Sequence, residues 1–376
     1  MDTPEADLVD LTARLQQARY PEPLTPDDWS TGVPLDQLRE LVDYWRDGFD
    51  WRAVEAATNE LPQFVTEIDG QRIHFAHIES SQADALPLLL IHGWPGSFLE
   101  FTDLIPLLTE PAANGAPDAP AFHLVIPSVP GFGYSTPLTS KEWTIARVAS
   151  AFAELMSRLG YDRYGAQGGD YGADVAPAIA RADAEHCVAV HVNGSIGAPY
   201  EAPTEEQLAA AGDIEKDRFR RVGEFMQNEF GYISIQSTRP QLIGAALTDS
   251  PVGQLAWMYD KFRAWTFPFD TTVDGGLGRD RILAHVSLYW FTRSAGSAAF
   301  TVYAADAGSW GAASERLSTP LGAIMFAHDI GIRSIAEQQF TITHWTDVND
   351  RGGHFAAMEE PELLAADIRT FFAENG

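Results

Sequence analysis

Residues 164–186 read YGAQGGDYGADVAPAIARADAEH, and this stretch decides the fold. With Arg163 in front, RYGAQGG has the texture of a strand running into a turn, and DVAPAIARADAEH that of a helix. Between them Asp170 stands at the centre of Gly168-Gly169-Asp170-Tyr171-Gly172, a G-x-D-x-G spacing. A tight strand-to-helix turn leaves no room for side chains two positions either side of its apex, and it holds the apex residue in a strained conformation. Alone, an aspartate among glycines is commonly a turn or a helix cap. In this context it matches the elbow that presents a nucleophile, with Asp where esterases carry Ser.

Working outward, the neighbouring segments alternate between strands and helices. Upstream, FVTEI and RIHFAHI alternate apolar and polar residues around Asp69-Gly70 and predict an antiparallel hairpin. LPLLLIH and FHLVIPS are continuous apolar runs, as in buried parallel strands. IARVASAFAELMSRLG predicts a helix stopped at Gly160, and HCVAVHVN, LGAIMFAHD and FTITHWTD predict further strands before the terminal helix PELLAADIRTFFAE. Leu8, Leu11 and Leu15, then Leu38, Leu41, Val42 and Trp45, repeat at helical spacing on either side of the Pro-rich YPEPLTPDDWSTGVP. From about 203 to 312 the texture turns helix-rich and aromatic. The expectation is an α/β fold, a mostly parallel doubly wound sheet with an inserted helical lid. Its parts are an N-terminal meander over 1–65 packed on core and lid, a core over 66–200, the lid over 201–312, and the rest of the core over 313–376.

Two further motifs give the elbow a chemical setting. His92-Gly93-Trp94-Pro95-Gly96 follows the strand LLLI. In an α/β-hydrolase the loop at this place supplies one oxyanion-hole N–H and the residue after the nucleophile supplies the other. Here those are the backbone N–H groups of Trp94 and Tyr171; Pro95 fixes the turn, and a cis bond is one way of doing so. His92 and Pro95 are placed in the substrate pocket, although a plain turn with a core histidine would leave the same sequence trace. Arg351-Gly352-Gly353-His354-Phe355 precedes the terminal helix and offers His354 as general base. The acid belongs between Asp170 and His354 in chain order, after a late strand. Asp329 suits this best; Asp347 and Asp350 lie so near His354 that capping the turn is their simpler role. His328 and His344 read as packing or surface residues.

Composition narrows the function classes. The 376 residues carry 53 acidic and 25 basic side chains, a net charge of −28, which repels nucleic acid and anionic lipid. Such acidity also serves solubility alone. No apolar run is long enough to span a bilayer, and MDTPEADLVD has no secretory signal character, so a cytoplasmic protein without membrane partners is expected. The one cysteine, Cys187, excludes an intrachain disulfide and sits in a strand-like apolar run. HExxH, CxxC and GxGxxG are absent from the sequence, so neither metal nor organic cofactor is expected.

The chain resembles the microsomal-type epoxide hydrolases. HGWPG, PSVPGFGYS, GGDYG and RGGHFAAMEEPELLAADIR carry the likeness, with the N-terminal YWRDGFDWRAVEAATNELPQFVTEIDGQRIHFAH and the segments GYISIQSTRP and DSPVGQLAW. Nearly the whole chain is covered, and the texture is closest to the actinomycete members, some of which act in antibiotic biosynthesis. The resemblance implies an epoxide as small-molecule substrate, Asp170 as nucleophile, His354 as base, Asp329 as acid, and two lid tyrosines that hold the epoxide oxygen. The first falls on Tyr232. The second is assigned to Tyr303, which stands one residue later than in some relatives, where Val302 holds the place. In a helix that offset is a turn of about 100°. A counterpart to the animal enzymes' membrane anchor is not expected. A homodimer is compatible with the sequence.

A carboxylate attacks an epoxide carbon without first losing a proton, which explains Asp in place of Ser. Phenol O–H groups then protonate the alkoxide, and His354 activates water to hydrolyse the resulting ester. The aromatic lid residues Trp257, Phe262, Trp265, Phe267 and Phe269 suit a bulky apolar or aromatic substrate, with Trp257 and Trp265 assigned to the pocket; packing of lid on core explains them equally well. A haloalkane dehalogenase, an ester or lactone hydrolase and a catalytically silent ligand-binding hydrolase fold are the alternatives. Diol formation from styrene oxide, with or without halide release from an alkyl halide, separates them.

Overall fold

A computed structural model describes residues 1–199, 201–268, 275–304 and 315–376. Eight strands form one sheet: β1 (Gln63–Ile68), β2 (Gln71–Ile78), β3 (Leu86–Ile91), β4 (Phe122–Pro127), β5 (Tyr164–Gly169), β6 (Cys187–Asn193), β7 (Leu317–Met325) and β8 (Phe340–Asp347). Their order is β1-β2-β4-β3-β5-β6-β7-β8. The β1–β2 and β2–β4 pairs are antiparallel and all others parallel. This is the α/β-hydrolase fold that the alternation of strands and helices predicts.

Local sequence accounts for the elements. In the hairpin Ile68 pairs with Gln71, and Asp69 and Gly70 both adopt positive φ (51° and 71°), as a two-residue type I′ turn requires. The run Leu88–Ile91 is apolar throughout because β3 lies between two parallel neighbours with both faces covered, and its side chains are fully buried. Each such side chain contributes about 1.5–3 kcal/mol of burial. One face of the sheet packs on the helices Ile145–Arg158 and Tyr171–Ala182, through residues such as Phe152, Leu155 and Val175; the other packs on the terminal helix Pro361–Asn375 through Leu364, Ile368 and Phe371.

Between β6 and β7 the chain inserts seven described helices, from Glu205–Ala210 to Ser294–Ala304. The N-terminal segment reaches this insert: the Trp45 indole donates to Ser287 Oγ (2.8 Å), and Arg14 pairs with Asp249 (3.3 Å). Phe269 and the expected insert boundary at 312 lie outside the described residues. Among the described residues no helix is long and apolar enough to cross a membrane.

Candidate active site

Four of the residues singled out by sequence follow the C-terminal ends of parallel strands, where open α/β sheets place their ligands. Asp170 directly follows β5, Trp94 follows β3, Asp329 follows β7 and His354 follows β8. Asp170 has φ 52° and ψ −125°, a strained conformation for a residue with a side chain. The elbow is tight: a Cβ on Gly172 would stand 2.1 Å from the Ile91 carbonyl oxygen. The close crossing of β3 and the helix Tyr171–Ala182 therefore demands glycine there.

The carboxylate is held on both sides. The backbone N–H of Trp94 donates to Asp170 Oδ1 at 2.8 Å, and the N–H of Tyr171 also bonds the carboxylate. Asp170 Oδ2 lies 3.4 Å from His354 Nε2. Burial alone would raise the carboxyl; the hydrogen bond and charge of His354, with the two N–H groups, bring it below its ordinary value. His354 shows the reciprocal effect. Burial opposes its protonation, but Asp170, then Asp329 and Glu359, raise its pKa.

Asp329 is 2% exposed and accepts the Phe326 N–H at 2.8 Å. Burial pushes its carboxyl up to about 6 against the pull of that N–H and of His354. Its rivals are engaged elsewhere: Asp347 pairs with the buried Arg218 (2.7 Å), and Asp350 stands at the exposed end of the loop beside Arg351. Glu359 accepts the N–H groups of Phe267 and Phe355, both at 2.9 Å, tying the His354 loop to the insert. His344 lies in a separate network with His191 around Asp367.

A cavity of about 1120 Å³ opens at Asp170. Trp94, Tyr171, Tyr232, Trp265, Asp329 and His354 are among its walls. Tyr232 stacks on Trp94 (centroids 4.9 Å apart, 18° between planes) and contacts Trp265, which in turn contacts His354. His328 also lines the cavity; its Nε2 lies 3.1 Å from the Ala264 carbonyl, and burial lowers it to about 3, so it is neutral. Sequence reading passed over Asp174, an exposed carboxylate on the cavity wall whose pKa the Asp170 charge raises. Its position in the first turn of the helix that follows Asp170 was the available signal.

Several expectations need correction. Tyr303 is 39% exposed and packs on Phe300, while Ala298, Thr301 and Val302 of its helix line the cavity. Tyr303 itself is not among the residues that line the cavity. His92 is fully buried outside the cavity wall: its Nε2 accepts the Val129 N–H (3.1 Å) and Nδ1 faces the Gly93 carbonyl (3.1 Å). Burial lowers it to about 4, so it is a neutral strut that shapes the HGWPG loop. Pro95, after a cis peptide bond, and Trp257 are likewise absent from the cavity wall. Trp265 does line it.

Comparison with known proteins agrees with this architecture. Residues 87–223 match the family described as alpha/beta hydrolase fold, and residues 1–101 the family described as epoxide hydrolase N terminus. This fold with a carboxylate at its elbow defines a hydrolase. A protein of Stigmatella aurantiaca provisionally named an epoxide hydrolase is 44% identical, covering 99% of this chain and 83% of that protein. Epoxide hydrolase 1 of Sus scrofa is 34% identical over 99% of this chain and 87% of its own length. The solved structure of Aspergillus niger epoxide hydrolase superposes with a TM-score of 0.87 at 33% identity, covering 100% of this chain and 95% of that one. The chain belongs to the epoxide hydrolase family.

Proposed function

We propose that the protein converts an epoxide to a vicinal diol through an ester on Asp170. One observation carries the reading: a strained aspartate at the elbow lines a large cavity, accepts the Trp94 N–H at Oδ1 and lies against His354 by Oδ2. Oδ2 attacks an epoxide carbon, the carbon–oxygen bond of the strained ring breaks, and Tyr232 gives its phenol proton to the departing oxygen. Help of that kind is worth roughly 10²–10⁴-fold. Tyr303 has no part in the step.

In the second step His354, oriented by Asp329, takes a proton from water, and the water oxygen bonds to Asp170 Cγ. The Trp94 and Tyr171 N–H groups stabilise the oxyanion at Oδ1. Collapse breaks the bond between Cγ and Oδ2, so the diol leaves with an oxygen that began on Asp170. His354 protonates that oxygen, and the acid proton left on Asp170 restores the Tyr232 phenol. Atoms and charge balance without a cofactor.

The cavity volume, with Trp94, Tyr232 and Trp265 beside the nucleophile, favours bulky epoxides with an aromatic or extended apolar part. A single turnover in ¹⁸O-water tests the route. Label is expected in the Asp170 carboxylate; label in the diol alone would mean direct attack by water and would refute the ester.

A further inference from the structure

A second chamber, of about 20 Å³, lies against Asp170. Among the described residues it shares only Trp94, Asp170 and His354 with the large cavity. The rest of its wall includes Gly93, Gly96, Glu100, Asn193 and Phe355. A space of about 10–15 Å³ holds one water when two to four polar groups face it. Here the polar groups are the Glu100 carboxyl, the Asn193 amide, His354 and Asp170 itself.

The side chains are fitted to this place. Glu100 Oε2 occupies the room above Gly96, where a Cβ would stand 2.0 Å from it. The Ser97 N–H bonds the Glu100 carboxyl, yet burial and the nearby Asp170 charge raise its pKa well above the ordinary range. The Asn193 Oδ1 accepts from Gln167 Nε2 (3.0 Å), which leaves its N–H group as a donor beside Gly169.

The second half-reaction sets a problem that this chamber answers. Once Asp170 is alkylated, the substrate carbon skeleton fills the large cavity. The attacking water must still reach both His354 Nε2 and Asp170 Cγ. The small chamber borders both residues, and the rest of its wall belongs to it and not to the large cavity.

We infer that this chamber holds the water that hydrolyses the Asp170 ester, and that Glu100 positions it by accepting one O–H while His354 takes the proton of the other. With both hydrogens directed, a lone pair of the water faces Cγ. Burial disfavours the charged form of Glu100, and its carboxyl offers an oxygen as acceptor to the water. The inference rests on the ester route proposed above.

Rapid-quench kinetics and intact-mass measurement on the whole protein, with styrene oxide as probe, test it. Glu100→Leu removes the acceptor and is expected to alkylate within about twofold of the parent. Its ester hydrolysis should slow roughly 10²-fold, the cost of a misdirected nucleophile. The adduct should then accumulate, and kcat and KM should fall together. Glu100→Gln keeps an acceptor oxygen and should hydrolyse far faster than Glu100→Leu. A general packing defect would slow both steps alike, and that result would overturn the inference, as would parent-like hydrolysis by Glu100→Leu. Should Glu100→Leu fail to fold, Asn193→Ala tests the opposite wall: accumulated adduct supports the chamber and parent-like partition overturns it. His354→Gln separates the two readings. If it traps no adduct, the ester route itself fails; if it traps adduct while Glu100→Leu and Asn193→Ala do not, only the water chamber fails.

Discussion

Replacing Gly93 by alanine probes the point at which backbone and nucleophile meet most closely. An ideal Cβ at position 93 would lie 2.0 Å from Asp170 Oδ1 and 2.4 Å from the Asp170 Cβ. Non-bonded heavy atoms prefer about 3.5 Å or more, so one of the two segments must move by about 1 Å or more. The backbone on one side is the loop that aims the Trp94 N–H at Oδ1 from 2.8 Å. A shift of that size breaks the bond or displaces the carboxylate. Loss of one oxyanion donor costs roughly 10²–10³-fold, about 2.7–4 kcal/mol. Diol formation by Gly93→Ala should therefore fall by roughly 10²–10³-fold in kcat/KM, with alkylation and ester hydrolysis both slowed. Gly223→Ala is the control: nothing lies within 4 Å of its added methyl, and it sits inside the helix Asp213–Asn228. It should keep full activity and gain about 0.5–1 kcal/mol of stability. A folded Gly93→Ala protein, checked by circular dichroism and thermal unfolding, with activity within a few-fold of the parent would refute the reasoning.

In single-turnover alkylation Tyr232→Phe should be slower by roughly 10²-fold, whereas Tyr303→Phe should match the parent; a slow Tyr303→Phe would return that phenol to the site. Asp329→Ala should slow ester hydrolysis strongly and Asp350→Ala should not, and the reverse result would move the orienting acid to Asp350. Esterification neutralises the Asp170 charge that holds the His354 pKa up, while the burial that lowers it remains. The base form should therefore be present at lower pH in the alkyl-enzyme, so hydrolysis should rise through a lower pH than the one at which His354 titrates in the free protein by NMR. Equal or higher values would show that Asp170 does not set the His354 pKa.

What the sequence determined by itself are the features enforced by backbone contact within a short segment. Gly168 and Gly172 around Asp170, the HGWPG loop and the Asp69-Gly70 turn mark places where the main chain comes too close, or turns too sharply, for other residues. The strands were legible because burial on two faces demands continuous apolar runs. Tertiary structure decided which side chains face the cavity. The helix Ser294–Ala304, SAGSAAFTVYA, is small and apolar nearly all round, so no periodicity told Val302 from Tyr303. His92 reads the same as ligand-binding group or strut until the Val129 N–H is found at its ring nitrogen. Glu100 and Asn193 come from segments 93 residues apart in the chain and line one chamber only because β6 lies two strands from β3 in the sheet. A contact of that kind is set by strand order, and strand order depends on how the whole chain packs, which no local pattern encodes.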